Sequence, residues 1–198
     1  MTETQRSRAL APVETGPGVL VHPTADRRLA TAHWLLSTHR DPRRARLEWE
    51  QHGLALLPLG TLFSAVRLPE RLVLAVTGGL GPSGAVDTVL DEAFEGGPVI
   101  CDPDGRRYYA LVPASVPVTW HQAADEWRTM DVDCLGRDAY LGVPRVDLVR
   151  FDRRTRASYW SVPMSSAAML CAPLAVARFI AAGQHQLTEQ AADEVGTA

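Results

Sequence analysis

The chain has 198 residues, 46% of them hydrophobic, and a formal charge of −3. That is enough apolar material for one well-buried domain, and too little basic excess for a global attraction to nucleic acid or anionic membrane, so any basic site has to be local. No run approaches the ~20 apolar residues of a membrane span and the N-terminus carries no signal-peptide run, which predicts a cytoplasmic protein without a membrane partner.

All 20 basic residues are arginine, and lysine and asparagine are both absent. Residues with AT-rich codons are missing together, which marks a high-GC bacterial genome. An arginine in this chain is therefore not automatically a guanidinium selected for two-pronged binding. Cys101, Cys134 and Cys171 are widely spaced and form no C-x-x-C pair. Neither a zinc site nor a redox dithiol is suggested, no metal site is predicted, and a reducing compartment fits best.

In chain order, residues 1–20 show no sustained period and read as a leader before a single domain over 21–183. A helix is predicted over 24–38, with His33 on its apolar stripe as a satisfied histidine more than a ligand. Asp41 followed by Pro42 is a cap with proline at the first helical position, and Gly53 supplies the stop, so a second helix runs from Pro42 to His52. Residues 54–58 read as a strand, and 62–68 as a second after a turn at Gly60. Residues 69–76 fit a short helix or a buried strand equally.

The run 77–84 holds four glycines and leads into a helix predicted over 86–94. Such a loop can present backbone N–H groups to a phosphate, although it lacks Gly-Lys-Ser/Thr and Pro82 removes a donor. A hairpin follows, turning at Asp102-Pro103-Asp104-Gly105. The connection 114–133 carries Trp120 and Trp127 and reads as a packed lid or a partner-facing loop. After Pro173 a final helix is predicted over 174–182, stopped by Gly183, with an acidic, frayed tail from 184 to 198.

Three strands share one ending: Tyr109-Ala110-Leu111-Val112-Pro113, Tyr140-Leu141-Gly142-Val143-Pro144 and Tyr159-Trp160-Ser161-Val162-Pro163. Alternation puts Ala110, Val112, Leu141, Val143, Trp160 and Val162 on a core face and Tyr109, Tyr140 and Tyr159 on the other. The tyrosine face suits a ligand, with Arg107, Arg145 and Arg154 as phosphate contacts, and the loop 145–156 adds Arg150, Arg153 and Arg156 at its rim. A flat aromatic face would serve a homo-oligomer as well. The predicted class is α+β, a mainly antiparallel sheet with helices packed on one face.

No nucleophile elbow, H-E-x-x-H, P-loop or kinase signature occurs. Asp131 and Asp133 are the paired carboxylates that could hold Mg²⁺ and nucleotide phosphates, with Asp138 and Arg137 near them in sequence.

The segment Arg107-Tyr108-Tyr109-Ala110-Leu111-Val112-Pro113, then 134–144 and 157–163, resembles the N-terminal primase-polymerase domain of bacterial bifunctional primase/polymerases. The opening Gly53-Leu54-Ala55-Leu56-Leu57-Pro58-Leu59 is similar to that family's Gly-Trp-x-Val-x-Pro-Leu, and a group of actinobacterial proteins carries the same Leu-Val-Pro and Leu-Gly-Val-Pro strands. The likeness spans about residues 25–163. Where the family has its catalytic Asp-x-Asp, this chain has Ala85-Val86-Asp87, and the family's Gly-Gly-x-His histidine is replaced around Arg106-Arg107. The resemblance thus implies a scaffold that has lost catalysis and kept a nucleotide or single-stranded nucleic-acid surface. The leading expectation is a non-catalytic binding or regulatory module needing no cofactor. The alternatives are a Mg²⁺-dependent nucleotidyl-transfer enzyme using Asp131 and Asp133, and a protein–protein adaptor using Trp120 and Trp127.

Overall fold

A computed structural model describes residues 13–16, 19–21 and 23–196. The leader expected over 1–20 lies mostly outside the described residues, but β1 (Val13–Gly16) and β2 (Val19–Val21) pair antiparallel within it. Helix α1 (Pro23–Leu36) follows, then α2 (Pro42–His52). The Asp41 side chain accepts from the Arg43 and Arg44 amides, and Gly53 ends α2 at φ 70°, a left-handed conformation that glycine adopts without a Cβ penalty. Strands β3 (Leu54–Pro58) and β4 (Phe63–Pro69) come next. The ambiguous run after Pro69 is a helix, α3 (Glu70–Thr77), and the glycine-rich loop leads into α4 (Gly84–Ala93).

The hairpin is β5 (Val99–Asp102) and β6 (Arg107–Pro113). The tryptophan-bearing connection folds into α5 (Val116–Thr119) and α6 (His121–Trp127), and a short β7 (Asp133–Leu135) follows. Strands β8 (Tyr140–Pro144) and β9 (Tyr159–Val162) and helix α7 (Pro173–Gly196) complete the chain. The fold is α+β with wholly antiparallel sheets: a five-stranded sheet in the order β7-β4-β6-β5-β9, and a separate β3-β8 ribbon.

Each face of the large sheet has its own core. On one, Val66, Leu68, Tyr108, Ala110, Val112 and Val162 meet α3, α4 and α7 through Leu72, Leu90, Phe94, Val176 and Phe179. On the other, Phe63, Ala65, Leu111, Ile100 and Trp160 meet α1, α2 and the ribbon through Leu35, Trp49, Leu57 and Val143. Two indoles hold the ribbon in place, Trp49 Nε1–H donating to the Val143 carbonyl at 2.8 Å and Trp160 Nε1–H to Pro144 at 3.0 Å.

Two sequence expectations differ from this arrangement. The three Tyr-x-x-Val-Pro strands do not form one sheet, because β8 pairs with β3 while β6 and β9 flank β5. The repeat encodes an extended conformation and a proline stop, and neither chooses a partner. The last helix also does not stop at Gly183 but continues to Gly196. Gly183 is buried there, and a Cβ at this position would lie 2.6 Å from Leu72 Cγ. The glycine lets α7 approach α3 closely. Among the described residues no helix is long and apolar enough to cross a membrane.

Candidate functional site

The tyrosine face is not assembled. Tyr159 is buried, 1% exposed, in the core under α3, α4 and α7. Tyr109 is partly buried on the opposite face of the sheet, and Tyr140 lies on the ribbon with 60% of its surface exposed. Part of the reason is a bulge in β9. Its register against β5 shifts between Val99↔Val162 and Ile100↔Trp160, leaving Ser161 as an extra residue. Trp160 and Val162 therefore enter opposite cores, where simple alternation would put them together.

The candidate phosphate arginines separate likewise. Arg145 is engaged by the Asp147 carboxylate, Nε at 2.6 Å and Nη2 at 3.0 Å, which raises the Arg145 pKa and lowers that of Asp147. Arg107 lies 4.0 Å from Asp131. Asp133 is bonded by Arg67 from the neighbouring strand. Asp131 and Asp133 thus each face a guanidinium, and no group of three His, Cys, Asp or Glu side chains able to hold a metal occurs among the described residues. This donor set does not fit a Mg²⁺ pair. Trp120 and Trp127 pack on each other with centroids 6.3 Å apart, Trp127 only 7% exposed, and they seat the connection on the sheet.

What the fold does bring together are the two loops, each of which had a phosphate reading of its own. The glycine-rich loop, residues 77–84, and the arginine loop, residues 150–156, border two adjoining hollows of about 790 and 650 Å³. Both hollows are lined by Pro82, Ser83, Phe151 and Arg153. The first adds Glu70, Arg106 and Arg156, and the second adds Gly84, Asp87, Arg150 and Ser161.

Ser83 caps α4, its Oγ accepting from the Val86 amide, so the amides of Gly84 and Ala85 have no partner within the helix. One turn on, the Asp87 carboxylate accepts from Tyr159 Oη at 3.0 Å and from the bulged Ser161 Oγ. Burial raises the Asp87 pKa, and the two donated bonds pull it partly back. The Phe151 ring packs on Tyr159 with centroids 5.9 Å apart, which seats the arginine loop over α4. A second tether is Arg156, whose Nε donates to Asp104 at 2.7 Å and Nη2 to the Pro103 carbonyl at 2.8 Å. Arg106 donates to Glu70 at 2.7 Å. These two arginines hold left-handed backbone, φ 51° at Arg106 and 50° at Arg156, where glycine would be less strained. Arg150, Arg153 and Arg154, by contrast, take part in no ion pair among the described residues.

Beneath the groove lies a neutral polar cluster. The Tyr108 hydroxyl is fully buried against Cys101, with no oxygen or nitrogen partner among the described residues. Burial pushes the Cys101 thiol up to about 12 and raises Tyr108 and Tyr159 well above the usual phenol range. Cys101 is therefore an inert thiol, since only the thiolate is a nucleophile. Asp87, Ser161, Phe151 and Arg106 entered no sequence-based list of ligand contacts. Asp87 had a local signal, its place one turn past a helix cap, whereas Phe151 and Ser161 had none.

No family model, no curated protein and no solved structure matches the chain.

Proposed function

We propose that the chain is a non-catalytic binding or regulatory module that holds a nucleotide in the groove between residues 77–84 and 150–156. One observation carries this reading: the glycine-rich loop that opens α4 faces a loop whose Arg150 and Arg153 have no acidic partner among the described residues. Unpaired guanidiniums beside free helix-start amides supply charge-assisted donors for phosphate oxygens. The hollows fall within the roughly 300–1,000 Å³ range of ligand sites. In the primase-polymerase resemblance Asp87 is the one carboxylate left where that family has a pair, which goes with binding without turnover. Single-strand binding would need successive stacking rings, and Phe151 is the only aromatic side chain lining the groove among the described residues. The free cysteines suit the reducing cytoplasm expected from the sequence.

The test is a thermal-shift titration of the purified chain with nucleoside triphosphates, with and without Mg²⁺, and with short single-stranded oligonucleotides. A ligand at a hundredfold its Kd stabilises the folded state by about 2.7 kcal/mol, or roughly 5–10 °C for a chain of this size. Arg150→Gln/Arg153→Gln is expected to lose most of that shift. No shift with any triphosphate, or an equal shift in the double variant, refutes the assignment. A shift with oligonucleotides alone replaces the nucleotide by a strand.

A further inference from the structure

A second hollow lies on the opposite side of the sheet, between the first turns of α1, residues 146–149 and residues 163–165, with a volume of about 310 Å³. Its lining divides sharply by chemistry. Val146, Val149, Pro163, Met164 and Trp160 give the apolar walls. The Trp160 Nε1–H is already bonded to the Pro144 carbonyl, so the indole has no donor left for a ligand. Among the described residues the polar lining consists of the hydroxyls of Thr24, Thr31 and Ser165 and the guanidinium groups of Arg27 and Arg28, with no carboxylate. Thr31 is the telling residue. It is only 2% exposed, yet its Oγ1 has no hydrogen-bond partner among the described residues. A buried hydroxyl without a partner is costly, and such exceptions call for an explanation. A ligand oxygen in this cavity would supply one.

We propose that this cavity binds a small organic acid, its carboxylate received by Arg28 and Thr31 and its apolar body lying against Trp160, Val146 and Val149. Two guanidiniums and no carboxylate among the described lining residues select an anion, because a buried negative charge needs a cation or several donors. The apolar walls select a carbon skeleton over a bare inorganic ion. The volume, at the low end for ligand sites, selects a molecule about the size of a single ring with a short acid arm. Arg28 is suited to this role because the nearby Asp147 carboxylate is already held by Arg145 through two hydrogen bonds.

The probe is phenylacetate, titrated into the ¹⁵N-labelled full chain while the Trp160 indole N–H resonance is followed. A saturable shift is expected at Trp160, with smaller changes at Trp34, Trp49, Trp120 and Trp127. Arg28→Gln, on the exposed side of α1, is expected to weaken binding roughly tenfold or more through loss of a charge-assisted bond. Thr31→Val is expected to weaken it severalfold without lowering the melting temperature of the free chain, because that hydroxyl bonds nothing among the described residues. The proposal is overturned if Trp160 shows no saturable change at millimolar phenylacetate, or if phenylacetamide or inorganic phosphate binds as tightly. Unchanged affinity in Arg28→Gln overturns it as well.

Discussion

Gly183 distinguishes two physical accounts of α7, and a substitution there separates them. A Cβ added at 183 would sit 2.6 Å from Leu72 Cγ, 2.7 Å from Leu72 Cδ2 and 3.3 Å from the Leu72 carbonyl oxygen. Carbon atoms rest at about 3.5–4.0 Å, and Leu72 is fully buried in the core. Overpacking of this kind costs about 1–3 kcal/mol, while replacing a mid-helix glycine by alanine returns about 1 kcal/mol. Gly183→Ala should therefore destabilise by about 0–2 kcal/mol in urea unfolding, a fall of up to roughly 8 °C in melting temperature. A glycine serving as a left-handed helix stop would also cost about 1 kcal/mol on substitution, so the single variant does not decide. The decision comes from the Leu72→Ala background, where the obstructing atoms are gone. There Gly183→Ala should become stabilising by up to about 1 kcal/mol, a coupling of about 1–3 kcal/mol between the two sites. An equal cost in both backgrounds would refute the close-approach account. The outcome also bears on the groove, because α3 begins at Glu70, one of its walls.

Two further outcomes follow from single groups. Asp41→Ala removes the acceptor for the Arg43 and Arg44 amides at the start of α2 and should cost about 1 kcal/mol by urea unfolding, whereas Asp26→Ala in the first turn of α1 should cost less. Asp87 has its pKa raised by burial from an ordinary 3.8, so the folded chain holds that proton to higher pH than the unfolded chain does. Its contribution to stability is full below 3.8 and is lost as pH rises through the raised value. Both donated bonds reach a single Asp87 oxygen, and an asparagine carbonyl can accept the same pair. Asp87→Asn should therefore leave the fold intact and gain stability relative to the parent as pH rises. Parallel stability curves for the two proteins would refute the buried-carboxylate argument.

The parts of the fold legible in the sequence are those fixed by chemistry within a few residues. Asp41, Pro42 and Gly53 mark α2 at both ends, and the Asp102-to-Gly105 turn marks the β5–β6 hairpin, because caps and turns act through backbone groups close by in the chain. The run after Pro69 stayed open between helix and strand because a short apolar run has no period to read, and burial under α7 decided it. Strand β7, three residues long, carries no pattern, and its pairing with β4 is purely tertiary. The site was legible only in pieces. Glycine-rich and arginine-rich loops could each be named, but their meeting depends on α4 packing against β9 and on Phe151 covering Tyr159. The tyrosine repeat misled for the opposite reason: similar local sequence went to different sheets, and one extra residue in β9 reversed the facing of what followed.

That bulge also governs how the two proposed sites can be tested independently. Trp160 is part of the wall of the hollow on the α1 side, and the next residue, Ser161, lines the groove and bonds Asp87 on the α4 side. Consecutive residues of one edge strand thus belong to cavities on opposite faces of the sheet. A substitution at either would disturb the backbone that positions the other, and lost binding at one site could not be separated from a shift in β9. Arg28 and Arg153 avoid this coupling, since each is exposed, lies outside β9 and reaches a different hollow. If both readings hold, Arg28→Gln weakens the response to phenylacetate roughly tenfold or more and spares the response to nucleotide, and Arg153→Gln weakens the response to nucleotide and spares that to phenylacetate. A variant at either arginine that suppressed both responses would mean that the two hollows are not separate sites, and the two-site account would fail as a whole.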